Sequence, residues 1–564
     1  MKLPFLKYKI LFVVCFLLNV AAVAATTTTT DKCLIHLDKS FYVTGEIAWY
    51  QLYLPQTFKT KPVAIRATVL DNKGVIVHSS FLQTEGKTAV DGYYKIPFNL
   101  KSGVYVLQFS SINKAKKSIV ALVETQIPIY NDLEGVAKTV SAEGNKTMPQ
   151  VKALPNELDI EIQLPTTNPK TRAKVQPTIT VKDKLGKTVA ANLSVSVVDY
   201  EVVGADLMGS TTIRTGEGVD GNVVSILSDD LYLKGIVNQD KGGAHAGKVL
   251  GAYTRVDDKI LYTRSNEEGG FYLAVPTFYG NRGFQILGQQ TDYQNIRVNP
   301  ENQLPINSVA ALPFNDQIAD YLALSRQRKK IFQRYGTVES NLKPQKYTVS
   351  RKSVKADAAF VIKEYEDFEF MSIFFKENLT PLRFEFQDQD SSYIAKMYNP
   401  KNQSAYDKFF RGRPLIIVDD IVTRNGDFLA RMRMTDVEKV ELYYDLKKLN
   451  KQYKLFGSNG VTKITTYDKI ESLPVFEADN MITVNGVQKA ADFPVFDPAE
   501  INNDRLQPFF RPQLYWNADL TTKKDGQAIF NYFQTDDRST FEIRVVAQSE
   551  DGKVGYKTMK YEVK

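Results

Sequence analysis

The chain has 564 residues, of which 43% are hydrophobic and 24% charged, a composition that suits packed domains and excludes disordered, collagen-like and multi-span membrane chains. At roughly 100 to 200 residues per domain, this length calls for about three to five domains. Three His and two Cys are too few for a disulfide framework or a four-thiolate zinc site, and a formal charge of +8 is too diffuse to mark a nucleic-acid binder.

Lys2, Lys7 and Lys9 precede an apolar run from Ile10 to Ala25 that closes on Ala22-Val23-Ala24. Residues 1–25 therefore read as a cleaved secretory signal peptide, because the run is shorter than the ~20 residues that span a bilayer. Removing the three leader lysines takes the formal charge from +8 to +5. Cys33 follows Asp31-Lys32 and lacks the small-residue context of a lipidated cysteine, so it reads as a small hydrophobe near the first strand.

Residues 26–130 alternate apolar and polar positions in short runs, such as Ile47 to Leu54 and Val104 to Phe109. Turns at Asp71-Asn72-Lys73-Gly74 and Asp91-Gly92 separate them at β-sandwich spacing. Residues 131–156 read as a polar linker, and 157–230 as a second sandwich with a turn at Asp183-Lys184-Leu185-Gly186. A third β-domain occupies 231–300, where Lys259 to Leu273 folds back about Asn266-Glu267-Glu268-Gly269-Gly270.

In the connector 301–364 the spacing of Ile318, Tyr321, Leu322, Ile331, Phe332 and Tyr335 predicts a helix from Asp316 to Tyr335, with Arg326, Arg328, Lys329 and Lys330 on a solvated face. An α/β unit follows at 365–470, with Pro414 to Asp419 as a buried strand and Val437 to Tyr444 as another. Residues 471–564 return to short strands. The fold class is mainly β, a string of sandwiches plus one small α/β domain.

Ordered motifs carry a resemblance. The stretch Ile35-His36-Leu37-Asp38-Lys39-Ser40-Phe41-Tyr42-Val43-Thr44-Gly45-Glu46-Ile47-Ala48-Trp49-Tyr50 resembles the opening of a macroglobulin second module. Leu233 to Val237 with Gly269-Gly270-Phe271-Tyr272-Leu273 resembles a carboxypeptidase-regulatory, transthyretin-like domain. Arg413 to Asp420, Val437 to Glu441 and Phe456 to Thr466 are similar to the plug of a TonB-dependent outer-membrane receptor, with Asp420 where that family has Gly. Phe510 to Asn517 through Gly555 resembles a closing macroglobulin-like strand set. Together these resemble exported multidomain proteins of Gram-negative bacteria. Fewer than a hundred residues follow Thr466, too few for a receptor barrel, and the absence of Cys after Cys33 removes thioester trapping.

No residue is assigned a catalytic, cofactor-binding or metal-binding role. Gly216-Glu217-Gly218-Val219-Asp220-Gly221 spells Gly-x-Gly-x-x-Gly without the strand-turn-helix context that would hold pyrophosphate. His36, His78 and His245 stand far apart, and His36 reads as a hydrogen-bonded wall residue. Glu364, Glu366, Asp367 and Glu369 read as a solvated face rather than a Ca²⁺ site or an acid/base pair.

The expectation is a non-enzymatic protein without cofactor, periplasmic or peripheral to the outer membrane. Its partners would be proteins rather than nucleic acid, and it would dock onto an outer-membrane β-barrel complex concerned with transport, secretion or barrel assembly. The alternatives are a protease inhibitor of macroglobulin type lacking a thioester, with 131–156 as bait, and a hydrolase with an unrecognised site.

Overall fold

The computed structural model describes residues 32–134, 156–203, 213–218, 221–239, 243–244, 246–254, 259–288, 296–335, 354–378, 380–401, 408–419, 421–467, 480–489, 491–495, 497–498, 508–523 and 525–564. The predicted leader, most of the predicted linker and His245 lie outside them. The described chain is mainly β, with three sandwiches and one small α/β unit.

Sandwich one stacks two sheets. One runs in the order Ile213–Gly218, Lys32–Leu37, Ile47–Tyr53, Ala89–Lys95, and the other Tyr42–Val43, Ile119–Tyr130, Gly103–Ile112, Ala64–Leu70, Ile76–Gln83. Period-two alternation sends Cys33, Ile35 and Leu37 into the core with Tyr50, Leu52, Phe109 and Ile127, while Leu34 and His36 leave by the opposite face. Each such side chain contributes about 1.5–3 kcal/mol on burial.

The two sandwiches expected at 157–230 and 471–564 are one module. Ala191–Asp199 lies between Gln513–Thr521 and Thr540–Ser549, and Thr178–Asp183 lies between Leu158–Gln163 and Gln527–Ile529. Leu158, Val195, Tyr532 and Ile543 share a single core. The first segment alone has too few strands to cover two apolar faces, so it closes only with the second.

Sandwich three, built on Leu231–Gln239, likewise takes its outer strand, Met481–Asn485, from beyond the α/β unit. Sandwich three is thus inserted in sandwich two, and the α/β unit in sandwich three. On the way between sandwiches two and three, Ile213–Gly218 returns to pair with Lys32–Leu37 of sandwich one.

In the α/β unit a five-stranded mixed sheet runs Ala358–Val361, Val437–Tyr443, Val461–Thr466, Leu415–Val418, Ile421–Thr423, with Leu415–Val418 parallel to Val461–Thr466. Ile416 and Val418 face Phe374, Phe375 and Met397 of the unit's own helix and hairpin, whereas Leu415 and Ile417 face Tyr253, Ile260 and Leu287 of sandwich three. A strand buried on both faces reads as a continuous apolar run, which is why it was visible in the sequence.

The helix Asp316–Tyr335 forms where the spacing placed it, and Ile318, Tyr321 and Leu322 pack against Phe41, Tyr130 and Val198. Arg328 and Lys329 correct the expectation of a solvated face, while Arg326 and Lys330 are exposed. Arg328 is buried and lies 3.5 Å from Asp537 of sandwich two, and Lys329 Nζ donates to Asp132 (2.8 Å) and to the Thr44 carbonyl (2.6 Å) of sandwich one. The two cations rivet the helix across two modules because the carboxylates of Asp537 and Asp132 meet them there.

Candidate functional site

The residues that carry the first motif close a loop upon itself. Asp38 Oδ1 accepts from the Tyr42 hydroxyl (2.6 Å) and the Trp49 amide (3.0 Å). Lys39 Nζ donates to Glu46 Oε2 at 2.6 Å, and Tyr321 of the long helix donates to Glu46 Oε1 at 2.8 Å. Gly45, at φ 86°, makes the left-handed turn between them, with Phe98 packed where a Cβ would stand. Burial pushes the Asp38 carboxyl up to about 6. Glu46 feels the same burial, yet Lys39 and its hydrogen bonds hold it below its ordinary value. These groups bond chiefly to one another and to the long helix, so the motif is architectural.

The outer face of sandwich one lies against the outer face of sandwich two across a polar seam. His36 Nδ1 is 2.6 Å from Ser194 Oγ, and the Tyr53 hydroxyl is 2.8 Å from the same oxygen and 3.1 Å from the Val546 carbonyl. The His36 ring is 5.2 Å from Trp516. Burial, then the neighbouring Arg544, lowers the imidazole to about 3. A Ser-His pair is the start of a nucleophilic constellation, but here both residues are wholly buried and His36 Nε2 meets no carboxylate. The pair is the wall contact expected of His36, extended to the next module.

The remaining candidate residues are not brought together. Gly216 and Gly218 lie on a strand, and a Cβ on Gly216 would stand 2.5 Å from the Leu122 carbonyl oxygen; Gly216 serves close packing, and Gly221 opens a helix of only six residues. His78 packs on Tyr94 with ring centroids 5.0 Å apart, and burial lowers it to about 4. Glu364, Glu366, Asp367 and Glu369 are all exposed, and Cys33 is a core residue. Among the described residues no group of three His, Cys, Asp or Glu is arranged to hold a metal ion.

Two features the sequence did not disclose join the modules. Where the three sandwiches meet, a polar cleft of about 560 Å³ is lined by Asp91, Lys87, Asn517, Asp519, Tyr279 and Asp492. Gln488 lays the returning segment along sandwich one, accepting from Tyr93 N (2.9 Å) and donating to Tyr93 O (2.7 Å). Burial, and after it Asp519 and Asp492, raises the Asp91 carboxyl.

The α/β unit is mounted in the same manner. Gln285 of sandwich three accepts from Val422 N (2.7 Å) and donates to Val422 O (2.8 Å), imitating a neighbouring strand, and Tyr262 donates to Tyr453 O at 2.5 Å. One sheet face and one edge are thereby committed. The hairpin of Leu382–Gln387 and Ser392–Met397 turns outward, with Phe386 48% exposed beside Tyr393, ring centroids 5.1 Å apart. Arg431 lies 5.5 Å over the Tyr393 ring. A lone Gln has no periodicity or motif, so neither clamp had a signal in the sequence.

No protein-family model matches the chain, and no curated protein matches it. Among solved structures, the elastase-activated alpha-2-macroglobulin of Escherichia coli is 9% identical and covers 94% of this chain and 43% of its own, with a TM-score of 0.23. The native conformation of the Escherichia coli protein gives 10%, 95%, 40% and 0.22. A tetra-tandem repeat from the extending region of a large adhesion protein gives 9%, 94%, 99% and 0.13. The chain spans about two fifths of the macroglobulins it matches. At such scores the likeness carries no functional argument. No helix among the described residues is long and apolar enough to cross a membrane.

Proposed function

We propose that the chain is a non-enzymatic, exported scaffold protein that docks through its plug-like unit onto an outer-membrane β-barrel complex concerned with transport, secretion or barrel assembly. The observation that carries this reading is the mounting of the unit. One sheet face and the edge strand Ile421–Thr423 are bonded to sandwich three, and the aromatic hairpin around Phe386 is held outward. A stopper inside its own barrel would be enclosed on all sides, whereas this unit has one fixed back and one free front. Exposed aromatics beside Arg are the residue types that anchor protein interfaces.

A photo-crosslinking residue at position 386 of the full chain, irradiated in intact Gram-negative cells, tests it. An outer-membrane β-barrel protein is the expected product, lost on moving the probe to the buried Phe374. Crosslinks confined to soluble proteins, or a chain that fractionates as a free monomer, would overturn the proposal.

A further inference from the structure

Beyond the docking hairpin, sandwich three carries a second surface whose chemistry defines an occupant. Strand Leu231–Gln239 alternates Leu233 and Val237 into the core with Lys234 and Ile236 on the outer face. Ile236 pairs in register with Gly270 on one side and Asn299 on the other, and the missing side chain at Gly270 helps leave it 49% exposed. The face forms the floor of a groove of about 620 Å³. Lys116 and Lys117, from the Ile112–Ile119 turn of sandwich one, line it together with Arg264.

The charges in the groove do not cancel. Its lining acid, Glu301, is already engaged by Arg66 at 2.7 Å and Lys234 at 3.2 Å. Lys116, Lys117 and Arg264 are exposed and have no carboxylate partner among the described residues. Glu267 and Glu268 of the adjacent turn do not line the groove. The lysine turn is held in place, because Asn113 Oδ1 accepts from the amides of Ala115 and Lys116, each at 3.0 Å. Three cations without a carboxylate therefore line the groove beside Ile236 and Tyr272.

We infer that this groove binds an extended acidic polypeptide segment, with an apolar side chain on Ile236 and carboxylates at Lys116, Lys117 and Arg264. The uncovered isoleucine favours a polypeptide over a phosphate chain, which would gain nothing from it. This inference does not rest on the docking role of the α/β unit.

The test is fluorescence anisotropy of the full chain with a labelled heptapeptide of alternating Glu and Leu, compared with one of alternating Lys and Leu and with linear polyphosphate. The acidic peptide is expected to bind and to weaken as salt is raised. Lys116→Glu with Lys117→Glu should weaken it about tenfold or more, and Ile236→Ser several-fold, with circular dichroism unchanged. No binding of the acidic peptide, or binding indifferent to the lysine reversals, overturns the inference. So does polyphosphate binding as tightly as the peptide with Ile236→Ser changing neither, which would define a polyanion site instead.

Discussion

The seam between sandwiches one and two places a titratable ring where water is excluded, and the sign of its effect follows from its pKa. His36 is lowered from 6.5 to about 3, so the stability gained by keeping it neutral is full above about pH 6.5 and is lost as pH falls toward 3. Asp38, raised to about 6, acts the other way, its ionised form being costly above that pH and relieved below it. Comparing His36→Gln with the parent chain isolates the histidine. The destabilisation measured by urea unfolding should shrink by up to about 2 kcal/mol between about pH 7.5 and about pH 5; a gap that stays constant with pH would refute the assignment. Legibility at this scale was uneven. Alternation along Leu34 to Leu37 put His36 on a wall, but Arg328 and Lys329 looked solvated, since only the fold brings Asp537 and Asp132 to them. Asp420, noted for replacing a glycine, lies outside the described residues, whereas Asp419 itself takes the left-handed turn at φ 44° and accepts from the Thr466 amide at 3.0 Å.

Strands were legible and their partners were not. Period-two patterning is local, so Ile47–Tyr53 or Gly103–Ile112 announces itself, but Ile213–Gly218 pairs with a strand some 180 residues earlier. Gly216→Val tests that returning strand, because its Cβ would meet the Leu122 carbonyl oxygen at 2.5 Å and Val123 Cβ at 2.9 Å. The expected cost is about 1–3 kcal/mol in chemical denaturation. A neutral result would mean that the strand is dispensable. Gln285→Leu removes both side-chain bonds that join sandwich three to Val422, at about 1–3 kcal/mol. The loss should appear as faster hydrogen exchange at Val422 while the unit's inner strands, such as Val461–Thr466, stay protected.

At the scale of the molecule, a linear division of the sequence into modules assumes that each closes before the next begins. The β class and the α/β interruption survived that assumption, but the module boundaries did not. Ala191–Asp199 finds both its sheet neighbours more than 300 residues later. Nesting makes two truncations unequal. A chain ending at residue 508 should lose hydrogen-exchange protection in Ala191–Asp199, whereas replacing 356–467 by a short Gly/Ser linker should preserve it, at the cost of uncovering Tyr253, Ile260 and Leu287. Persistent protection in the shortened chain would show that sandwich two closes without its second half.

The long separation of Ala191–Asp199 from Thr540–Ser549 also orders events during synthesis. A ribosome that stops early releases a polypeptide whose second module is still half-built, with Leu193, Val195 and Val197 bare to chaperones and proteases. Reaching Thr540–Ser549 is then what distinguishes a closed second module from an open one.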